Sequence, residues 1–449
     1  MSRRKALSQW EETVSSHLPH LSRPQAPVLA LWSFGMVLAK SCGITSVAAL
    51  LAELLGSSAS TLRQQLREWC YDAQDKKGEH RQEVDVTLCF APLLSWILSK
   101  WPRSECRLAL AMDATTLSDR FTVLCISVLY CGCAIPVAWK LLRAGEKGSW
   151  EPYWKALFTS LQGRVPKDWT VIALADRGLY APWLFHHIVG LGWHPFLRIN
   201  RGGKGRPLGA ERFDWLCTVV PQTGTAWGGV VDCFVEKTVR CTWLARWDEG
   251  YADPWLVLTD LAPEAANVVW YSMRTWIEGG FKDTKRGGWQ WHQTKMTDPA
   301  RASRLWLAIA VATLWVVSVG GEADATQPCS GLEALPEGHI ARRTATKRSR
   351  PRLQSCFAQG LRRIFVAVLD GRRLPMGRFF PEPWPTTLPP RKKSKQEKKS
   401  PSATSSLGGA SFSFAGGRMT INLPAKERIY RLPDHWVCSF RGTAMRHGG

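Results

Sequence analysis

The feature that most limits the fold of this chain is a change of hydrophobic pattern near residue 105. Before it, apolar residues recur at helical spacing; after it come three β-type runs with short polar or glycine breaks, CRLALAMDAT, FTVLCISVLYCG and CAIPVAWKLL. A helical segment, the apolar run WTVIALAD, a second helix and a short strand in HPFLRIN follow. Successive strands that then alternate with helices predict an α/β fold, a mixed sheet with helices on both faces.

The composition divides the chain into three predicted regions. We expect an all-helical domain over residues 1–102, the sheet domain over 103–320, and a basic, low-complexity and largely flexible region over 321–449. Within the sheet domain, residues from about 201 to 261 are β-like and rich in tryptophan, which indicates an insertion. The last region contains 23 Lys or Arg against 9 Asp or Glu, and we expect a short helix around Leu361–Leu369.

The first region contains a candidate DNA-binding element. The segment GITSVAALLAELLGSSASTLRQQLREW predicts two helices with a break at Gly56–Ser58, which resembles a helix-turn-helix. The second helix would offer Arg63, Gln64, Gln65 and Arg67 to a DNA groove or to phosphates. An antiparallel helical hairpin that packs only for its own stability fits the segment equally well. The predicted helices of this region are Leu29–Lys40, Ser46–Leu55, Ser60–Trp69 and Ala91–Lys100.

The charge of the chain favours a polyanionic partner. The formal net charge of the 449 residues is +22, which points to nucleic acid first and to an anionic membrane surface second. The amino terminus has no apolar stretch of the kind that export requires, so we expect no targeting segment. The most apolar run, Leu305–Gly320, is shorter than a membrane span and contains Thr313 and Ser318, so it predicts a buried core helix.

Cysteine and glycine patterns exclude two common kinds of site. The 13 cysteines have no regular spacing, and Cys131 and Cys133, the closest pair, lack the partners of a zinc site. We expect Cys131 and Cys133 to be buried thiols in strands. Without export, the cysteines should remain reduced. The glycine-rich stretch Arg201–Gly209 lacks the spacing of a phosphate-binding loop.

The segment YSMRTWIEGGFKDTK carries the candidate chemistry. The steps from Tyr271 to Arg274, Glu278 and Lys285 are three, four and seven residues, which would place all four on one face of an α-helix. Such a face could bind a phosphate chain through its cations while the glutamate holds a metal. Taken alone, the segment also fits an ordinary solvated helix with an i,i+4 pair between Glu278 and Lys282.

Two aspartates supply a context for that glutamate. Asp113 and Asp176 each end a predicted apolar strand, and side chains at the carboxyl ends of strands in such sheets face the ligand-binding crevice. Either one alone is more often a turn former or a helix cap. If both converge with Glu278, they need cations, and oxygen ligands favour two Mg²⁺ or Mn²⁺ ions. Two such ions perform in-line displacement at phosphodiesters in nucleases, polymerases and strand-transfer enzymes.

These residues resemble a known family. AMDATT, LADRGLY and the segment from Leu256 to Gly288 are similar to the DDE transposases of bacterial insertion sequences, in the cut-and-paste group marked by Tyr-x2-Arg-x3-Glu-x6-Lys. Tyr271, Arg274, Glu278 and Lys285 match this signature at every spacing. The resemblance covers roughly residues 105–320 and does not extend to the basic tail.

The resemblance implies a fold and a set of roles. The fold would be a ribonuclease-H-like core with a β-rich insertion before the glutamate helix. Asp113, Asp176 and Glu278 would be the catalytic residues that bind two Mg²⁺ or Mn²⁺ ions. Tyr271, Arg274 and Lys285 would hold the transposon end near its cleaved phosphate. Some relatives stack a flipped base on a tryptophan of the insertion, and the sequence assigns no tryptophan to that role.

The implied function is that of a metal-dependent DNA transposase. Such an enzyme binds the terminal inverted repeats of its element, cleaves at the ends and joins the 3′ hydroxyls to target DNA. Its partners would be double-stranded DNA at the ends and at the target, and a second copy of the chain in a dimer or larger assembly. We expect no membrane partner, no small-molecule substrate, and a cytoplasmic location with the bacterial nucleoid.

Three alternatives remain open from the sequence. A DNA-binding regulator or domesticated relative could keep the fold without turnover. A metal-dependent nuclease could use the same carboxylates without strand transfer. A membrane-surface protein could use the basic tail.

Overall fold

Helices precede the sheet in the computed structural model, which describes residues 2–77, 82–199, 202–326, 354–387, 412–415 and 418–421. The third of them ends at Gly56, whose φ of 62° is the left-handed conformation that glycine adopts readily at helix ends. The four predicted helices of this region are confirmed with bounds shifted by a few residues. The helices are α1 (Arg3–His17), α2 (Gln25–Ala39), α3 (Ile44–Leu55), α4 (Ala59–Trp69) and α5 (Thr87–Ser99).

A mixed sheet of ten strands follows. The strand order is β3-β2-β1-β4-β5-β10-β9-β8-β6-β7. Strand β1 is parallel to β4, and β4 is parallel to β5, whereas β1, β2 and β3 are successive antiparallel neighbours. The predicted α/β class with a large mixed sheet is therefore confirmed. The strands are β1 (Arg107–Leu117), β2 (Phe121–Tyr130), β3 (Cys133–Arg143), β4 (Thr170–Ala175), β5 (His194–Arg198), β6 (Lys204–Pro207), β7 (Asp214–Trp215), β8 (Thr225–Cys233), β9 (Val239–Trp247) and β10 (Trp255–Thr259).

Two helices connect the parallel strands. Along the chain, helix α6 (Glu151–Leu161) connects β3 to β4, and α7 (Pro182–Gly190) connects β4 to β5. Every residue of β2 is buried, as expected for an apolar strand in the interior of a covered sheet.

The tryptophan-rich stretch extends this same sheet. Strand β10 pairs antiparallel with β5, with Val257 opposite Arg198, and β9, β8 and β6 continue outward from β10. The predicted β-rich character of residues 201–261 is confirmed for the described part. Because its strands join the edge at β5, the stretch is continuous with the sheet.

A long helix, α9 (Pro299–Thr326), is largely buried. It packs against β3, against α2 and against α10 (Cys356–Leu369). Asp298 accepts a hydrogen bond from the Arg301 amide at 2.8 Å and so caps the amino end of the helix. By length and composition α9 could cross a membrane, but 94% of its most apolar window is buried inside the protein. The predicted core helix is confirmed.

The helical region and the sheet region belong to one compact unit, Met1–Arg391. Arg304 of α9 is buried and donates to the Cys70 carbonyl at 2.7 Å and to Asp72 at 2.7 Å. Since a buried guanidinium needs such partners, Arg304 fixes the segment after α4 to the central helix.

Part of the region predicted to be flexible is packed into this unit. Helix α10 includes and extends the short helix expected around Leu361–Leu369. The segment after it also contacts the core, because the Phe379 amide donates to the Lys100 carbonyl at 3.1 Å and the Trp315 indole donates to the Pro375 carbonyl at 2.8 Å. Composition missed this packing, which depends on apolar side chains spaced among the basic residues.

The rest of the predicted tail falls largely outside the described residues. A second unit, Lys392–Gly449, contains a described antiparallel pair of strands, β11 (Phe412–Ala415) and β12 (Arg418–Ile421). Residues 327–353, 388–411, 416–417 and 422–449 are not described.

Among the described cysteines no disulfide is formed, and all are buried except Cys106 and Cys217, which are half-buried. Cys133 opens β3, whereas Cys131 lies in the turn before it with a φ of 46°, so the prediction that both lie in strands is wrong for Cys131. The side chain of Cys356 from α10 packs against these two thiols.

Replacement of Gly360 tests the packing of α10. A Cβ atom at Gly360 would collide with the Val316 carbonyl oxygen, and one at Gly320 would collide with the Cys356 carbonyl oxygen, so α9 and α10 cross with their backbones in contact. We expect Gly360→Ala to lower the free energy of unfolding by about 1–3 kcal/mol through overpacking. Urea denaturation measures this. The control is Gly190→Ala, where nothing lies within 4 Å of the added atom; equal stability of the two variants would contradict the close crossing.

Candidate active site

The register of three parallel strands builds one side of the candidate site. Met112 of β1 aligns with Ala175 of β4, and Ala175 aligns with Leu197 of β5. The next residues along these strands are Asp113, Asp176 and Arg198, so two carboxylates and a guanidinium stand at one edge of the sheet. This juxtaposition is the one expected for the carboxyl ends of parallel strands.

The two aspartates differ in local structure. Asp176 follows the last residue of β4 and accepts a hydrogen bond from the Arg177 amide at 2.7 Å. The prediction that Asp113 ends its strand is wrong, because β1 continues to Leu117 by pairing with β2, where Asp113 lies opposite Cys125. Asp113 instead marks the point where β1 passes beyond its parallel partner β4.

The third carboxylate arrives on a segment of changing helical geometry. Tyr271 and Arg274 lie in a 3₁₀ helix, Val268–Thr275; Glu278 lies in α8 (Trp276–Lys282); and Lys285 lies in a π-helical turn, Asp283–Gly287. The expectation of one regular α-helix is therefore wrong. A step of three residues in a 3₁₀ helix and of four in an α-helix still aligns Tyr271, Arg274 and Glu278.

The Arg274 guanidinium lies between all three acids. One of its nitrogens, Nη2, is 2.8 Å from Asp113 Oδ2 and 3.4 Å from Asp176 Oδ2, and Nη1 donates to Glu278 Oε1. The arginine side chain is 9% exposed, whereas those of Asp176 and Glu278 are 46% and 60% exposed. The structure thus brings together the three predicted acidic residues around one buried cation.

Burial and charge compete at Asp113. Burial raises the pKa of this carboxyl, Arg274 and the Ala114 amide lower it, and the neighbouring carboxylates Asp176 and Glu278 raise it, with a net upward shift. For Arg274, burial disfavours the charged form, but the acidic neighbours, with Asp113 first among them, outweigh burial and raise its pKa. Arg274 is therefore the counter-ion that opposes the upward shift of the Asp113 pKa.

Lys285 lies at the border of the same site. Its ammonium donates to Thr115 Oγ1 at 2.7 Å, and Thr115 lies two residues after Asp113, on the same face of β1. Burial and the nearby Arg286 lower the pKa of Lys285. Thr115 was not predicted as a site residue, although the two-residue repeat of a strand would have indicated it.

Tyr271 has a different environment from the other members of the signature. Its ring is 3% exposed, packs edge-on against Trp255 with centroids 5.7 Å apart, and has the Arg198 guanidinium 5.6 Å from its centroid. Burial and Asp176 raise its pKa. The structure therefore gives Tyr271 a packing role beside the acids, and a direct contact with DNA stays a prediction.

Arg198 is a further charged residue that the sequence interpretation missed. Its Nε atom is buried and has no hydrogen-bond partner among the described residues. Burial and Arg177 lower its pKa. The sequence could have indicated Arg198 as a site residue, because it follows Leu197 at the end of the third parallel strand, beside Asp176.

Arg63 and Arg67 lie elsewhere. Both are exposed on α4, together with Gln64 and Gln65, and no described contact joins them to the three carboxylates. Helix α4 packs against α3. A helix-turn-helix and a helical hairpin both contain such a contact, so it does not distinguish the two predictions.

A divalent cation matches the donor chemistry of the site but not its present conformation. Three carboxylates are the oxygen ligands that Mg²⁺ and Mn²⁺ prefer. Over the described part of the chain, however, no group of three or more His, Cys, Asp or Glu is arranged to hold a metal ion. The Arg274 guanidinium lies between the carboxylates, so metal binding requires this side chain to move.

Comparisons with known proteins leave the family open. No family model matches the sequence, and no curated protein matches it. Among solved structures, the chain is similar to one described as a cryo-EM structure of a piggyBac transposase synaptic complex with hairpin DNA. The identity is 9%, the TM-score is 0.35, and the match covers 69% of this chain and 72% of that chain. These values are too low to assign a family.

Replacement of Arg274 tests its role as counter-ion. In Arg274→Gln the pKa of Asp113 should rise further, because the opposing charge is lost. An acid with a raised folded-state pKa costs stability above that pKa and costs nothing once it is protonated in both states. Relative to the wild type, we expect a loss of about 1–3 kcal/mol near pH 7.5, since two of the acids are partly exposed to screening water.

The same loss should shrink at acidic pH, because the raised pKa of Asp113 lets this carboxyl take up a proton as the pH falls. Urea denaturation at both pH values measures the difference. Arg372→Gln is the control, because Arg372 pairs with Asp370 at an exposed position and its removal should change little. A loss in Arg274→Gln of equal size at both pH values would contradict the proposed charge balance.

Proposed function

We propose that this protein is a metal-dependent DNA transposase of the DDE type, in which Asp113, Asp176 and Glu278 bind two Mg²⁺ or Mn²⁺ ions. The observation that carries the proposal is the convergence of these three distant acids on one guanidinium. The sheet order β3-β2-β1-β4-β5, with β1, β4 and β5 parallel, supports a ribonuclease-H-like core. The formal net charge of +22 favours a nucleic-acid partner.

The chain's own residues would act on DNA as follows. The three carboxylates hold the ions, which when bound supply activation of an attacking water or hydroxyl and stabilisation of the leaving oxygen. Arg274, released from the carboxylates, pairs with a phosphate of the bound strand, as does Lys285 beside Thr115. The proposed reactions are cleavage at the terminal inverted repeats and transfer of the 3′ ends to target DNA, in an assembly of at least two copies.

One observation favours a second function. In the described conformation, the Arg274 guanidinium pairs with all three acids. A DNA-binding regulator without turnover needs no more than this arrangement. A nuclease without strand transfer would share the metal site and would differ in its products, which would be breaks without joined ends.

Cleavage assays test the catalytic proposal. With Mg²⁺ and a duplex carrying the inverted repeats that flank the coding sequence, we expect the wild type to cut at the ends and to form joined products with a target plasmid. Asp113→Asn, Asp176→Asn and Glu278→Gln should each lower the rate at least ~100-fold, because metal binding supplies several kcal/mol of charge stabilisation. Asp119→Asn, an exposed acid between β1 and β2, should cut normally.

The outcomes separate the three functions. Binding of the duplex without cutting by any protein favours the regulator. Cutting without joined products favours the nuclease. Normal cutting by all three substituted proteins would exclude these carboxylates as the catalytic residues.

Metal binding has a readout that is independent of activity. We expect Mn²⁺ at about 100 times its dissociation constant to raise the free energy of unfolding of the wild type by about 2.7 kcal/mol. Asp176→Asn should lose most of this gain. Arg274→Gln should bind Mn²⁺ more tightly than the wild type, because no guanidinium then competes for the carboxylates. Thermal denaturation across a Mn²⁺ titration measures all three, and the absence of any shift in wild type and Arg274→Gln would exclude the metal site.

A further inference from the structure

A cleft of about 620 Å³ lies between the amino-terminal helices and the segment that follows the glutamate helix. One wall is formed by the start of α3 and by Arg63 and Arg67 of α4. The opposite wall is formed by Gln290 and by residues 293–296. The cleft therefore joins two parts of the chain that the sequence assigns to different regions.

The lining of this cleft has the chemistry of a phosphate-binding surface. It contains four cationic residues, Arg63, Arg67, Lys295 and Arg301, and no Asp or Glu. Hydroxyl and amide side chains, among them Thr45 and Gln293, complete it. Arg, Lys, Ser, Thr and Gln are the side chains that contact the sugar–phosphate backbone of DNA.

Three of the four cations are available for a ligand. Arg301 is engaged, because it pairs with Asp75 at 2.7 Å and lies 4.8 Å from the centroid of the Tyr71 ring. Arg63, Arg67 and Lys295 are exposed, and within the described ranges no ion pair or side-chain hydrogen bond involves them. Three exposed cations without carboxylate partners favour an anionic ligand over a purely structural role.

The second wall of the cleft is connected directly to the candidate active site. His292 Nδ1 lies 3.0 Å from the carbonyl oxygen of Lys285, the residue that reaches Thr115. Arg120 donates to the carbonyls of Thr294 and Met296 at 2.5 and 3.1 Å. These bonds fix the position of Lys295 relative to β1 and the acids.

We propose that this cleft binds the sugar–phosphate backbone of duplex DNA, with Arg63 and Arg67 on one side and Lys295 on the other, while the cut strand lies at the acids. The inference rests on the proposed function and adds to it. Binding of the DNA backbone by α4 then also requires the opposite wall of the cleft, residues 290–296. The amino-terminal helices therefore do not act as an independent DNA-binding module. Contacts to phosphate position the duplex and carry no base specificity.

Salt-dependent binding tests the cleft. The probe is a fluorescent duplex of about 30 base pairs and mixed sequence, read by anisotropy, since backbone contacts need no particular bases. Each lost phosphate contact should reduce the slope of log K against log salt by about 1. Arg67→Gln with Lys295→Gln should therefore lower the slope by about 2, and each substitution alone should weaken binding roughly tenfold, the equivalent of one charge-assisted hydrogen bond.

The control removes the same charge from another surface. Arg164 and Lys167 are exposed in the loop between α6 and β4, so the double replacement Arg164→Gln with Lys167→Gln alters net charge equally. We expect this protein to keep nearly the wild-type slope. Equal slopes in the two double variants, or an effect of Arg67→Gln without one of Lys295→Gln, would overturn the two-walled cleft.

The failure of this inference differs from the failure of the proposed function. If the protein is a transposase but the cleft does not bind DNA, the Arg67 and Lys295 variants will bind and cut the inverted-repeat duplex as well as the control variant does. If the function is wrong, the wild type fails to cut or fails to bind DNA. Urea denaturation of each variant confirms that the exposed substitutions leave folding unchanged.

Discussion

The attraction between the Arg274 guanidinium and three carboxylates is the interaction on which the candidate site depends. Asp113 and Asp176 stand at adjacent positions because Met112 and Ala175 are the last aligned residues of two parallel strands. Glu278 joins them from a helix that packs closely on the sheet, where a Cβ at Gly280 would lie 2.9 Å from the Ala134 Cβ. Three acids held this near one another repel, and partial burial increases the cost. A cation among them offsets that cost, and in this conformation the cation is a side chain.

Much of the fold could be predicted because its strands and helices carry strong local patterns. The apolar runs that contain Asp113 and Asp176 form buried strands. The hydrophobic run from Leu305 is a core helix, as its short length and its Thr313 and Ser318 indicated. The three acids could be named from position and spacing alone. Asp176 follows the last residue of β4, and Asp113 lies where β1 passes beyond β4, so both stand at the same end of the parallel strands.

The remaining features depend on contacts between distant residues, which a local pattern does not contain. The helix of the signature changes from 3₁₀ to α to π geometry, although the spacing of its residues suits a regular α-helix. Tyr271 is buried because β10 brings Trp255 against it. Helix α10 docks because glycines 40 residues apart, Gly320 and Gly360, let two backbones meet. The basic and proline-rich composition of that region indicated flexibility. Composition contains no information about which pairs of residues pack together.

If the proposed function holds, the position of Arg274 couples metal to DNA. The guanidinium can pair with the carboxylates or with a phosphate, and the same carboxylates can bind either Arg274 or metal ions. A phosphate that draws Arg274 away frees the acids for metal, and metal on the acids frees Arg274 for phosphate. Because coupling between two binding sites is reciprocal, each ligand then raises the affinity of the other by the same factor. Without DNA the three acids would stay paired with Arg274, and they would become free for metal as the strand enters, which would limit cleavage to bound substrate.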